Sequence, residues 1–234
     1  MTTHSARMLL ALDVADAESA LAKVDRFSGR CDFYKIGLEL FTACGPSLVR
    51  DVRARGVDVF LDLKLHDIPN TVRAAARRAA ALDVQLLTVH AVGGQIMLEA
   101  AVEGAGTQCG ILAVTVLTSL SAETVGAVWG RASEVSLERE VVRLAGFASR
   151  AGAHGVVCSG AELSALGAAY GNRLAPLVPG LRTTGAGTDD QARVVTPEAA
   201  VAMGARYLVL GRAVTASSDP LAAWDSIAAT VRAR

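Results

Sequence analysis

At 234 residues the chain is long enough for one large core or two small ones, and 52% apolar against 4% aromatic residues points to a core of Ala, Val and Leu. Acidic and basic residues balance at 23 each, without the basic excess expected of a nucleic-acid binder. The four cysteines (Cys31, Cys44, Cys109, Cys158) form no CxxC and no metal-ligand pairing with the four histidines, so they read as small, mostly buried side chains in a reducing cytoplasm.

In chain order, "MTTHSARMLL" has too short an apolar run for a signal peptide, and no later run reaches transmembrane length, so no membrane partner is expected. Residues 1–6, His4 included, read as a disordered tail. A first apolar run, Met8–Leu12, ends in Asp13, which either caps the next helix or faces a site. Ala17–Phe27 has helical spacing. The second strand, Phe33–Ile36, contains Lys35, and Glu39 follows on a helix. The third, Val57–Leu63, runs into "LDLKLHDIPNTV", which holds Asp62, Lys64 and Asp67; Thr71–Leu82 is again helical.

The fourth strand, Leu86–Val89, ends in His90, which reads as a hydrogen-bonding residue beside a site rather than a base. The fifth, Ile111–Leu117, ends in Thr118 and Ser119, and the crossover of about residues 119–154 has room for two helices, one of them Leu137–Arg150. The sixth strand, Gly155–Cys158, offers only Cys158 and Ser159. The seventh, Ala175–Val178, runs into "PGLR" (Pro179 to Arg182) and then "TTGAGTDDQAR", a polar loop suited to close over a ligand as a lid. Thr196, Pro197 and Glu198 read as N-cap, first-turn proline and first-turn acid of a helix that Gly204 ends. The eighth strand, Tyr207–Leu210, leads into Gly211 and Arg212.

Eight continuously apolar strands alternating with helices predict a parallel sheet buried on both faces, and eight units in this length predict an α/β, (β/α)8 TIM barrel as one domain over residues 1–234. The competing doubly wound sheet would carry a Gly-rich turn after its first strand, where this chain has "ALDVADAESA". Barrels place their chemistry at the C-terminal ends of the strands, and the polar residues of this chain collect there.

Asp62 and Lys64, two apart on a strand, project to one face with Leu63 on the other. Only three of the 23 basic residues are lysines (Lys23, Lys35, Lys64), so an ammonium at two strand ends is a departure from the chain's habit. An ammonium flanked by carboxylates is held as a cation, which suits a fixed proton donor; Schiff-base chemistry would need a desolvated, deprotonated lysine. A salt-bridge network that only orders the barrel is the alternative, although such networks add little stability. At the other end, "PGLR", the Gly- and Thr-rich loop and "LGR" read as an anion site after strands 7 and 8, with Arg212 suited to a two-pronged contact and Arg182 either part of it or a surface arginine.

"LDLKLHDIPNTV", "LTS", "PGLR", "DDQARVVTPEAA" and "GARYLVLGRAVT", in this order from Met8 to about Pro220, resemble the orotidine 5′-phosphate decarboxylases. The DxKxxD element is shared with sister barrels; its combination with Lys35 and the C-terminal motifs is far more specific. The resemblance implies loss of CO₂ from orotidine 5′-monophosphate to give uridine 5′-monophosphate, without metal or organic cofactor. Lys64 then stabilises and protonates the C6 carbanion. Asp62 lies beside the departing carboxylate, and we read it as orienting Lys64 within a preorganised field rather than as destabilising the ground state. The resemblance further implies that Asp13 and Lys35 hold the ribose, and that Asp67 and Ile68 enter the partner's site in a homodimer. Thr118 and Pro179 would meet the base, Gln191 would bridge base and phosphate, and Gly211, Arg212 and Arg182 would hold the phosphate. Two rivals remain: an Mg²⁺-dependent sister branch acting on keto-sugar phosphates, against which Lys35 puts a cation where that branch places an acidic metal ligand, and a silent nucleotide-binding barrel.

Overall fold

The structure, a computed structural model, describes residues 6–130, 135–182 and 195–232. In chain order the elements are β1 (Arg7–Ala11), α1 (Ala17–Arg26), β2 (Phe33–Gly37), α2 (Leu38–Arg53), β3 (Asp58–Leu65), α3 (Pro69–Ala80), β4 (Leu86–His90), α4 (Gln95–Ala105) and β5 (Gly110–Val114). They continue with α5 (Ala122–Val128), α6 (Leu137–Arg150), β6 (Gly155–Val157), α7 (Leu163–Tyr170), β7 (Ala175–Val178), α8 (Pro197–Ala202), β8 (Tyr207–Leu210), α9 (Arg212–Thr215) and α10 (Pro220–Arg232). The strands close into one barrel in sequence order, β1 to β8, and every neighbouring pair is parallel. The fold is the (β/α)8 barrel expected from the sequence.

Two apolar layers build it. Alternate strand residues fill the barrel: Leu9, Phe33, Phe60, Leu86, Leu112, Leu177 and Val209 form an inner cluster. The residues between them, such as Leu10, Tyr34, Leu61, Leu87 and Leu208, face outward and pack with the helices in the larger outer cluster. This is the parity that strand geometry dictates. Continuing the inner parity towards the strand C-termini replaces apolar residues by Lys35, Asp62, Lys64 and Gly211, so the barrel has an apolar floor and a polar mouth.

Local signals set the helix starts. Asp16, not Asp13, caps α1, its side chain accepting from the Ser19 N–H at 2.8 Å. Asp13 is thereby left to face the barrel mouth. Thr196 caps α8 through the Ala199 N–H at 3.3 Å, with Pro197 at the first helical position. The long crossover after β5 does hold two helices, α5 and α6. Ala6, the first described residue, is buried, and residues 1–5 of the expected tail lie outside the described residues. Among the described residues no helix is long and apolar enough to cross a membrane.

Candidate active site

The mouth of the barrel is a cavity of 290 Å³ at the C-terminal ends of the strands. One wall carries four charges from the first three strands. Lys64 Nζ donates to both oxygens of Asp62, at 2.9 Å each. Lys35 Nζ lies 3.0 Å from Asp13 Oδ1. All four residues line the cavity. The local sequence explains the arrangement: in "DVFLDLKL" the outward residues Val59, Leu61, Leu63 and Leu65 pack against the helices, which turns Phe60, Asp62 and Lys64 inward. Lys64 itself adopts φ +49°, a left-handed conformation uncommon for a residue with a side chain. Two residues further along β2, Gly37 leaves room for the Lys35 ammonium, since a Cβ there would stand 3.0 Å from Nζ.

The opposite wall comes from the last strands. Pro179, Arg182, Gly211 and Arg212 line it, and Thr118 lines the edge beyond β5. Phe60, Val157, Leu177 and Val209 close the floor. These floor residues are absent from the sequence reading of the site, although their inward parity was available as a signal. The cavity thus holds a Lys–Asp row on an apolar base with guanidinium groups at the far side. Water excluded from such a floor strengthens every charge interaction above it.

Two expected residues stand apart. Asp67 is exposed, its Oδ1 accepting from the Ile68 N–H at 2.6 Å, and neither residue lines the cavity of its own chain. The lysine therefore has one of its two expected carboxylates from within the chain. Gln191 and the loop of residues 183–190 lie outside the described residues.

His90, half-buried at the end of β4, has its pKa lowered first by burial and then by the neighbouring His66 and Lys64, with Asp62 opposing. Its ring lies 5.6 Å from that of His66, centroid to centroid. All four cysteines are free. Burial pushes the Cys31 thiol up to about 11 and the Cys109 thiol up to about 12, so neither supplies a thiolate nucleophile. Among the described residues, no three His, Cys, Asp or Glu side chains converge as a metal site.

Comparison with known proteins identifies the family and agrees with the barrel fold. Residues 6–227 match the model of the "Orotidine 5′-phosphate decarboxylase / HUMPS family". A relative from Halorhodospira halophila named orotidine 5′-phosphate decarboxylase is 48% identical over 234 residues, covering 97% of this chain and 96% of its own. One of the same name from Anaeromyxobacter sp. is 50% identical over 225 residues, 96% of this chain and 98% of its own. The crystal structure of orotidine 5′-phosphate decarboxylase from Lactobacillus acidophilus superposes with a TM-score of 0.84 at 33% identity, covering 97% of this chain and 99% of that one.

Proposed function

The chain belongs to the orotidine 5′-phosphate decarboxylase / HUMPS family, and from that premise we propose that it converts orotidine 5′-monophosphate to uridine 5′-monophosphate and CO₂. It is read as a cytoplasmic carboxy-lyase of pyrimidine nucleotide synthesis, in keeping with its four free cysteines. In this reaction the C6–carboxylate bond breaks, its electron pair stays on C6 in the plane of the ring, and a proton replaces CO₂. The π system of the ring delocalises an in-plane pair poorly. The site must therefore supply a fixed cation beside C6 and a proton for it.

The observation that carries the reading is the Lys64 ammonium held by both oxygens of Asp62 at 2.9 Å in the cavity that Arg182 and Arg212 line at its other side. Lys64 stabilises the developing charge and gives its proton to C6; solvent returns the proton. Asp62 fixes the direction of the ammonium before the reaction begins, which is how preorganised charge lowers a barrier. Asp13 and Lys35 take the ribose hydroxyls, Thr118 and Pro179 the base, and Gly211, Arg212 and Arg182 the phosphate, with Gln191 between base and phosphate. Phosphate contacts far from C6 contribute to the chemical step by fixing the substrate against Lys64.

A homodimer in which Asp67 and Ile68 enter the partner's site accounts for their exposure. Ile68 is 67% exposed, and Leu38, Val92 and Ile96, which follow β2 and β4 on the same rim, are exposed apolar residues as well. A run of such side chains along one rim marks an interaction surface. The family also contains sister enzymes that use Mg²⁺, and here the ammonium of Lys35, paired with Asp13, stands where their acidic ligand is expected. The chemistry read here uses neither metal nor organic cofactor.

The test is loss of the ultraviolet absorbance of orotidine 5′-monophosphate with EDTA-treated protein, beside Lys64→Ala. Rapid loss with the native protein and a fall of at least about 10³-fold in the variant is expected. Binding of uridine 5′-monophosphate with no turnover would leave only a nucleotide-binding barrel.

A further inference from the structure

We propose that Thr88, a β4 residue that does not line the cavity, is a positioning residue that sets the Lys64–Asp62 pair from beneath; the inference rests on the decarboxylase reading. The starting observation is the register of β3 against β4. Leu61 pairs with Leu87 and Leu65 with Val89, so three β3 residues, 62 to 64, stand against the single residue Thr88. A bulged strand leaves ladder groups without backbone partners. Here the group in question is the N–H of Lys64, whose φ of +49° turns it off the regular strand path.

Thr88 supplies what the ladder does not. Its side-chain oxygen accepts from the Lys64 N–H at 2.8 Å. The same hydroxyl donates its proton to Asp62 Oδ1, also at 2.8 Å. A hydroxyl carries one donor and two acceptor sites, so both bonds form together. Asp62 Oδ1 in turn receives Lys64 Nζ at 2.9 Å. Lys64 is thus held at two points, its backbone directly by Thr88 and its ammonium through a carboxylate that Thr88 also holds. Thr88 is wholly buried, in a strand reading "LLTVH". Valine has the same shape and suits such a strand. Packing alone does not call for the hydroxyl; the bulge and the carboxylate do. The backbone bond fixes where the lysine side chain departs from the strand, and the carboxylate bond fixes where its ammonium stops.

The test uses Thr88→Val and Thr88→Ser in the full chain, with kcat, KM, affinity for uridine 5′-monophosphate and thermal midpoint measured for each. Thr88→Val is expected to lower kcat about 10- to 100-fold, the range that loss of a hydrogen bond to a charged group spans, while KM and product affinity stay within about threefold. Thr88→Ser, which keeps the hydroxyl, is expected to recover kcat to within about threefold of wild type on the same scale. A Thr88→Val enzyme with undiminished kcat would overturn the inference. So would a Thr88→Ser enzyme as slow as Thr88→Val, because the effect would then belong to the methyl group and its packing. Equal losses in product affinity and kcat would do the same, as the whole mouth would have collapsed. If Thr88→Val does not fold, Thr88→Ser alone decides: a fall beyond about 10-fold rules out the hydroxyl as sufficient. A wild type that binds uridine 5′-monophosphate without turning over the carboxylated nucleotide removes the decarboxylase reading, and the inference with it. That result differs from an active wild type with an undiminished Thr88→Val.

Discussion

Both ends of the barrel carry ion pairs, and they use different cations. At the N-terminal end, Arg7 reaches Asp58 at 2.7 Å and Asp32 at 3.3 Å with its guanidinium 4.3 Å over the Phe33 ring, and Arg53 joins Asp58 at 2.9 Å. These contacts tie the starts of β1, β2 and β3 together. At the C-terminal end, Lys35 meets Asp13 and Lys64 meets Asp62, and both pairs open into the cavity. A guanidinium is a planar fork with several donors that does not give up a proton, so it links carboxylates. An ammonium is a compact point charge that can lose one. In a chain with 20 arginines and three lysines, the carboxylates at the strand starts are linked by arginine, and those paired at the mouth are met by lysine, the cation that the proposed proton donation requires.

Exchanging the cations breaks the comparison most directly. Lys64→Arg keeps the positive charge beside Asp62 and removes the transferable proton. Its kcat is expected to fall by at least about 10³-fold, close to Lys64→Ala, because general acid catalysis and its placement are lost together. Affinity for uridine 5′-monophosphate, measured by calorimetry, reports whether the larger side chain still admits the nucleotide. A Lys64→Arg enzyme within about tenfold of wild type would mean that charge alone drives the reaction.

The reciprocal exchange is expected to touch stability and leave chemistry alone. Arg7→Lys loses the simultaneous reach to Asp32 and Asp58 and the stacking over Phe33. Arg7 is 37% exposed, so solvent screens much of the pairing, and the expected loss is about 1 kcal/mol or less. For a chain of this size that is a fall of about 2–4 °C in the thermal midpoint, with kcat unchanged. A change in kcat would show that the two ends are coupled through the strands.

How legible these ends were in the sequence depends on whether one strand or two define the feature. The eight strands follow from short apolar runs, and β7 and β8 agree with the sequence reading to the residue. The inward placement of Asp62 and Lys64 follows from strand parity. The fifth strand ends at Val114, not Leu117, because Val116 and Leu117 are apolar as cavity wall rather than as ladder residues. Asp13 was open between cap and site in the sequence, and only the observed cap at Asp16 releases it. The left-handed Lys64 and its three-to-one register against Thr88 were beyond reach. No pattern within "LDLKL" encodes them, since they depend on which residue of the neighbouring strand stands opposite.

The smallest expected effect sets one histidine at each end against the other. His90 stands beside Lys64 at the mouth; His154, before β6, pairs through Nε2 with the Tyr207 hydroxyl at 2.9 Å on the far side of the barrel. Burial is the main cause that lowers both imidazoles, aided by His66 and Lys64 for His90 and by Arg206 for His154. An imidazole whose folded pKa lies below its ordinary 6.5 binds its proton more readily in the unfolded chain. Its contribution to stability is then complete above 6.5 and is lost as the pH falls through the folded value. Denaturant midpoints measured from about pH 8 down to about pH 5 should fall with acid in the wild type and fall less in His90→Gln and in His154→Gln. Asp16 and Asp25, lowered from an ordinary 3.8 by hydrogen bonds from Ser19 and Arg55, act only in more acidic solution and do not overlap this window. The two variants separate in activity: His90→Gln removes a group that becomes a second positive charge beside Lys64 in acid, so the pH dependence of kcat should change in that variant alone. Equal changes in both would show that the acid loss of activity is unfolding, with no contribution from the charge at the mouth.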